Sequence, residues 1–135
     1  MKIRVVSSKE ELTSLDPSDK YIHLAFRPSK TDILFLIQTC PDVKAIQVPP
    51  SYIRKVSISN MMLIDMKGIA LLEGNVWRNK KDVNEYYEIK PEILDRMKEL
   101  KKVGLSEADL LKKLGRETEL SSDLLKFLLK GKAKK

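Results

Sequence analysis

Short apolar segments recur at nearly even intervals along the first part of the chain, and turn or helix-starting residues follow each of them. Ile22 and Ile46 are 24 residues apart, and Ile46 and Ile69 are 23 apart. Strands that alternate with helices are typical of parallel sheets with right-handed crossovers. The pattern predicts an α/β fold in which residues 1–76 form a small, solenoid-like parallel β/α repeat domain. The predicted strands are residues 3–5, 22–26, 45–48 and 69–72.

The connections between these strands carry helix signals. Ser8 and Glu11 have the spacing of a capping box, and Ser29 with Asp32 is a near match. The third connection is less regular, because it begins with a strand-like alternation and continues as a helix-like run that stops at Gly68. We favour a helix for its second half, residues 60–66.

The chain changes character after residue 76. Residues 77–90 are rich in aromatic and basic side chains and are predicted to form a linker or docking segment. Pro91 stands at a favoured first-turn position and opens three helical patterns, so residues 91–130 are predicted to form a three-helix, helix-turn-helix-like unit. Residues 131–135 form a basic tail.

Positive charge is concentrated near the carboxyl end. The formal net charge is +7, and residues 90–135 hold 13 lysines and arginines against 8 acidic residues, which is +5 of that total. Such an imbalance favours polyanionic partners, nucleic acid above all.

Several classes of function need residues that the chain lacks. Cys40 is the only cysteine, which excludes internal disulfides and indicates a reducing cytoplasm. His23 is the only histidine, so we expect neither a metal site nor a Ser-His-Asp triad. No glycine-rich phosphate loop is present, and the longest apolar run, residues 33–37, is far below the ~20 residues of a membrane span. We therefore expect no enzyme activity, no cofactor and no membrane partner.

A polar row across the sheet is one candidate site. If Ile3 and Val5 face the core together with their equivalents on the other strands, the residues between them share the opposite face. An ordinary solvated sheet face is the simpler interpretation, and a platform for a ligand or nucleic acid is the alternative. The residues of this predicted row are Arg4, His23, Gln47 and Ala70.

The carboxyl ends of the strands are a second candidate site, because ligands of parallel sheets gather there. Arg27 and Arg54 lie near serines that can cap helices at these ends. Helix amino termini beside arginines can bind an anion. Plain helix capping is the alternative interpretation and the one we favour.

The linker offers a third candidate. Its basic residues lie between Trp77 and the pair Tyr86-Tyr87, a mixture that is typical of surfaces that stack bases and contact phosphates. The alternative, which we favour, is that the aromatic side chains cap the open end of the repeat. The candidate nucleic-acid-binding residues of the linker are Arg78, Lys80 and Lys81.

The run from Gly104 to Gly115 resembles the centre of a helix-turn-helix motif, with a glycine, a capping Ser106 and a short apolar helix that ends in Leu-Gly. The resemblance implies that the following helix, residues 122–130, enters the major groove of DNA while basic side chains contact phosphates. A long turn at residues 116–120 departs from the compact motif. The predicted contacts are Lys112, Lys113, Arg116, Lys126 and Lys130.

The same residues also resemble a ubiquitin-associated-type three-helix unit, with Gly104-Leu105 as its loop and Leu114, Leu124 and Leu128 at its helix positions. This second resemblance implies a protein partner bound through the loop and the last helix.

Four segments distributed over the whole chain resemble an uncharacterised protein family of methanogenic archaea: residues 1–8, 22–29, 71–77 and 84–89. The resemblance implies an archaeal cytoplasmic protein. It implies no activity and no catalytic residues, because the family has no known function.

Together these observations predict a regulatory nucleic-acid-binding protein, with DNA a more natural partner than RNA, that uses its basic C-terminal helices. The β/α part would bind a partner, a small anion or a second copy of the chain. The alternative is an adaptor whose C-terminal unit binds another protein.

Overall fold

The computed structural model describes residues 2–74, 86–89, 91–118 and 120–133, and within these ranges it does not describe the side chains of residues 86–88 and 130–133. Five strands form one sheet in the order β4-β3-β2-β1-β5. The first four are parallel, which confirms the predicted α/β class, and β5 runs antiparallel to β1. The strands are β1 (Lys2–Val6), β2 (Tyr21–Leu24), β3 (Ala45–Val48), β4 (Ala70–Glu73) and β5 (Tyr86–Glu88).

Strand β5 lies within the segment that the sequence predicted as a linker. Its three residues pair with β1 through the register Ile3 with Tyr87. The two tyrosines favour extended backbone, and the pairing satisfies hydrogen-bonding groups that an open sheet edge would expose.

One face of the sheet is covered by a first helical layer. It consists of a 3-10 helix (Lys9–Ser14), α1 (Lys30–Thr39), α2 (Pro50–Ile53) and α3 (Ile58–Met66). Ser29 and Asp32 form the complete capping box of α1. Ser8 and Glu11 do not form one, since the first connection is a 3-10 turn in which the Ser8 hydroxyl makes no capping bond to the backbone.

The third connection is helical in its second half, as predicted. Ser57 caps α3 by accepting a hydrogen bond from the Asn60 amide at 3.2 Å. Gly68 has a φ of 70°, a left-handed conformation that glycine adopts at low cost, and the chain there turns into β4. The strand-like alternation at residues 56–59 therefore reflects a buried Val56 before the cap and not an extra strand.

The opposite face is covered by a second helical layer of α4 (Pro91–Lys102), α5 (Glu107–Thr118) and α6 (Ser122–Ala133). These helices bury their leucines with Ile3, Ala45 and Leu72 of the sheet. The first layer has a separate core against the other side of the same strands, which includes Val6 and Ile46. Both faces being covered explains why the strands are nearly continuously apolar.

Candidate nucleic-acid interface

Helices α4 and α5 are joined by a short turn with helix-turn-helix chemistry. Gly104 has a φ of 87° and follows directly on the last turn of α4. The Ser106 hydroxyl accepts a hydrogen bond from the Asp109 amide at 3.2 Å, which caps α5. The turn fixes α5 on α4, and Leu110 and Leu114 anchor its inner face.

The outer face of α5 brings three of the predicted phosphate contacts together. Lys112, Lys113 and Arg116 are exposed and line one shallow cavity of about 470 Å³. Arg116 follows Lys112 by four residues and Lys113 by three, so the three side chains lie along one side of the helix. The other side chains of this cavity are Leu105, Asp109 and Glu117. We call the outer face of α5 with these six residues the α5 groove.

One of the two carboxylates in the α5 groove is already neutralised. Arg96 of α4 donates from Nε to Glu117 Oε1 at 3.2 Å and from Nη1 to Glu99 at 3.3 Å. Hydrogen bonding to Arg96 lowers the pKa of Glu117, with a smaller contribution from the charge of Lys113. Of the two carboxylates in the α5 groove, Glu117 is paired with Arg96, so Asp109 remains to offset the three cations. The α5 groove therefore keeps a net positive charge.

Helix α6 is held against the sheet. The Phe127 ring meets Tyr21 edge-on with centroids 6.0 Å apart, and the Asp123 carboxylate accepts a hydrogen bond from the Glu73 amide at 2.9 Å. Leu124 and Leu125 are buried. Helix α5 extends to Thr118 and α6 begins at Ser122, so the turn between them is shorter than the predicted turn at residues 116–120. Among residues 122–129 only Ser122 and Lys126 are exposed, which leaves α6 little free surface, and its entry into the major groove stays a prediction.

The remaining predicted cations are divided among other places. Lys126 is exposed on the free stripe of α6 and does not line the α5 groove. The side chain of Lys130 lies outside the described residues, as do Arg78, Lys80 and Lys81 of the predicted linker. Sequence reasoning missed two exposed lysines at the end of α4, Lys101 and Lys102, beside the Gly104 turn. Their signal was the position in the last helical turn, where cations also complement the helix dipole.

The predicted polar row is shifted in the structure. Val5 pairs with His23, and Arg4 pairs with Ile22, so Arg4 lies on the face of the first helical layer and donates to the Ser14 hydroxyl at 3.1 Å. Including Arg4 in the row was therefore wrong, because the parallel register is offset by one residue from the assumed one. Gln47 does pair with His23. Ala70 shares this face but pairs with Ala45 one row away.

His23 and Gln47 form a buried joint under α6. His23 Nδ1 donates to Gln47 Oε1 at 2.8 Å, and Gln47 Nε2 donates to the Ser121 hydroxyl at 3.2 Å. Ser121 in turn caps α6 by accepting from the Leu124 amide. Burial lowers the pKa of His23 to about 4 despite an opposing effect of the bond to Gln47. His23 and Gln47 are therefore neither on a solvated sheet face nor on an open binding platform. They attach the second helical layer to the sheet through hydrogen bonds.

Some residues of the predicted anion site lie together at the carboxyl ends of the strands. Arg27 lines a cavity of about 340 Å³ between the amino termini of α1 and α3, together with Lys30 and Lys55. Ser29 and Ser57 also line it, but both hydroxyls serve as helix caps. Arg54 is exposed outside this cavity. Anion binding at this place stays a prediction.

The other chemically active residue types are placed as follows. Cys40 is buried, and its thiol donates to the Asp16 carbonyl at 3.3 Å. Burial raises the pKa of this thiol to about 11, with a further contribution from Asp19 and Asp16. Within the described ranges, no group of three histidine, cysteine or acidic side chains is arranged to hold a metal ion. No helix there has the length and apolar character that crossing a membrane requires.

Two family models match the chain. Residues 2–85 match the N-terminal domain of a family of unknown function, DUF1699, and residues 92–130 match the C-terminal HTH (helix-turn-helix) domain of the same family. The second match spans α4, α5 and most of α6. No curated protein and no solved structure matches. The chain belongs to the DUF1699 family of unknown function and carries that family's C-terminal helix-turn-helix domain.

Proposed function

We propose that the protein binds duplex DNA and that α5, not α6, is the helix that enters the major groove. The observation that carries the proposal is the α5 groove: Lys112, Lys113 and Arg116 lie together on the outer face of the helix that follows the Gly104 turn. In helix-turn-helix proteins the second helix of the motif reads the major groove, and its partner helix crosses the backbone. Here α4 and α5 supply these two helices.

The surroundings of α5 support this assignment. Lys101 and Lys102 at the end of α4 extend the positive surface past the turn. Such a surface gains affinity mainly by displacing counterions from phosphates. The side chains that would read bases are few, since the first turn of α5 carries Glu107 and Asp109. We therefore propose that phosphate contacts supply most of the affinity.

The test is a titration of labelled duplex DNA of mixed sequence with the full chain, followed by fluorescence anisotropy at several salt concentrations. We expect binding that weakens as salt rises. Replacing the cations of the α5 groove in the triple variant Lys112→Ala, Lys113→Ala, Arg116→Ala should lower affinity at least ~10-fold at low salt. It should also reduce the slope of log affinity against log salt by up to ~2.7, since each phosphate contact contributes ~0.9.

A matched control removes the same charge elsewhere. Lys20, Lys44 and Arg54 are exposed and lie outside the α5 groove, so their triple alanine variant should bind as the wild type does. Equal losses in both triple variants would show that net charge, and not the α5 groove, determines binding. Absence of binding by the wild type at low salt would remove the proposal.

A protein partner is the second candidate function. Val103 at the α4–α5 turn is 74% exposed, and Leu105 beside it is half-buried in the α5 groove. An apolar turn flanked by charges suits a helix-surface contact with another protein. Three results together would favour this function. The wild type would not bind DNA, it would retain a stoichiometric protein partner after nuclease treatment, and Val103→Asp would lose that partner.

We also propose that the protein acts in the cytoplasm of an archaeal cell. The support is the single, buried Cys40, which suits a reducing compartment, and the resemblance of four segments to a methanogen family. Cell fractionation of a methanogen that encodes a member of this family would test the proposal. Recovery of the protein outside the cytoplasmic fraction would contradict it.

A further inference from the structure

The first helical layer has an apolar outer face. Six large apolar side chains on α1 and α3 are exposed, although the inner sides of both helices already fill the core with Ile33, Leu36 and Ile64. Met66 is 80% exposed, Ile58 77% and Met62 61%. The six residues, which we call the apolar patch, are Leu34, Phe35, Ile58, Met61, Met62 and Met66.

Helix α3 is unusual for a surface helix. A helix at the rim of a globular protein has one apolar stripe and an opposite polar face, and a helix that is apolar on every side is normally buried. Helix α3 has the sequence Ile-Ser-Asn-Met-Met-Leu-Ile-Asp-Met, and Asp65 is its only charged residue. Its outer side therefore has the composition of a surface that is covered in the working protein.

We infer that the apolar patch is the interface between two copies of this chain, related by a two-fold axis. From their exposed fractions, the six side chains present on the order of 600 Å². A standard interface buries ~800 Å² per partner, which the apolar patch and a polar rim can supply together. Three of the six residues are methionines, whose flexible side chains can adapt to the same surface on a second copy.

The charges around the patch suit contact between identical surfaces. Asp65 lies on α3, while Lys55 and Lys67 flank its two ends, and all three are exposed. In a two-fold contact each residue can meet a different residue of the other copy, so the carboxylate of one copy can face a lysine of the second. A partner surface of a single sign of charge would not have this match.

A two-fold dimer also suits DNA binding, and this part of the inference rests on the proposed function. Helix-turn-helix proteins commonly bind DNA as two-fold dimers on paired half-sites. The apolar patch and the α5 groove belong to layers on opposite faces of the sheet, so pairing through the patch leaves both α5 grooves free.

The experiment is sedimentation equilibrium of the full chain without DNA at micromolar concentration. We expect the mass of two chains for the wild type and of one chain for the double variant Met62→Glu, Met66→Glu. Both methionines are exposed, so the variant should keep the circular dichroism spectrum of the wild type. The control is Val103→Glu, which adds one carboxylate at an apolar site 74% exposed on the other layer and should remain a dimer.

A second measurement locates the interface. Met62→Cys should yield a covalent dimer with a short bis-maleimide, whereas Val103→Cys should not, and the wild type should not react because Cys40 is buried. A monomeric wild type overturns the inference and leaves the patch to a different partner. A double variant that stays dimeric also overturns it. Failure of the DNA titration leaves the sedimentation result untouched, so the two proposals fail separately.

Discussion

The two helical layers of this protein expose different side chains to solvent although they cover one sheet. The first layer is apolar on the outside, with Ile58, Met62 and Met66 exposed on α3. The second layer exposes a cluster of cations, with Lys112, Lys113 and Arg116 lining the α5 groove. The parallel sheet therefore carries two surfaces of different chemistry, one on each of its covered faces.

The layers also differ in how they are attached to the sheet. The first layer packs through aliphatic side chains such as Ile46 and Leu36. The second adds a buried polar joint of His23, Gln47 and Ser121 to its leucine core. Apolar packing depends little on pH, whereas a buried neutral imidazole makes the attachment of the second layer sensitive to acid.

Acid should separate the two layers most strongly. The pKa of His23 is about 4 in the native state and 6.5 when exposed, so between these values the unfolded chain binds a proton that the native chain does not. The free energy of unfolding should therefore be unaffected by His23 above pH 6.5 and should fall by about 3 kcal/mol by pH 4. Urea unfolding at successive pH values measures this. In His23→Gln the decline over this range should be shallower, and an unchanged decline would contradict the assignment.

The next effect concerns Gly74, where the end of β4 lies against Ser121 at the start of α6. A Cβ at Gly74 would overlap the Ser121 hydroxyl and lie 2.6 Å from Gln47 Nε2. Gly74→Ala should lower the free energy of unfolding by about 2 kcal/mol, because α6 has to move away from the sheet. Gly115→Ala is the control, since no atom beyond its chain neighbours and its own helix backbone lies within 4 Å of its Cβ position, and chemical denaturation of both variants measures the difference. Equal stabilities would show that the joint is loosely packed.

A smaller effect compares the helix caps of the two layers. Ser29 caps α1 in a complete capping box, and Ser106 caps α5 through its hydroxyl alone. Ser29→Ala and Ser106→Ala should each cost about 1 kcal/mol in thermal or urea unfolding. Only Ser106→Ala should also weaken DNA binding, since it loosens the start of α5. A loss of DNA affinity in both would indicate that stability and not the α5 groove is responsible.

The smallest effect should be a gain. Glu117→Gln removes a carboxylate from the α5 groove and releases Arg96 from its ion pair. DNA affinity at low salt should rise a few-fold, and the rise should disappear at high salt because it is electrostatic. The matched change Glu73→Gln, on the exposed end of β4, should leave affinity unchanged. A fall in affinity for Glu117→Gln would show that the carboxylate orients Arg96 toward the ligand.

Much of the fold could be predicted from the sequence because its signals are local. The spacing of Ile22, Ile46 and Ile69 predicted strands joined by crossover helices, and parallel strands lie at or next to all three places. The predicted equivalence holds for Ile22 and Ile46, which pair, but Ile46 pairs next with Leu71, because Ile69 precedes β4. The serine caps at Ser29 and Ser106 follow from the fit of a hydroxyl to an unpaired amide. The clustering of cations on α5 could likewise be predicted from helical periodicity.

The register of the strands could not be predicted. Both faces of the sheet are buried, so the alternation that normally assigns side chains to faces is weak, and a shift of one residue moved Arg4 to the opposite side. The antiparallel edge strand β5 was missed for a related reason, since three residues carry too little pattern to indicate a partner.

Most of the elements, their order and the surplus of positive charge can be read from the sequence alone, because propensity, capping and periodicity act over a few residues. The tertiary packing fixes which helices keep a free outer face. It packed Leu124 and Leu125 of α6 between the sheet and its neighbouring helices and left the outer face of α5 open. The physical reason is that burial depends on every surface that competes for the same apolar side chains, and those surfaces come from distant parts of the chain.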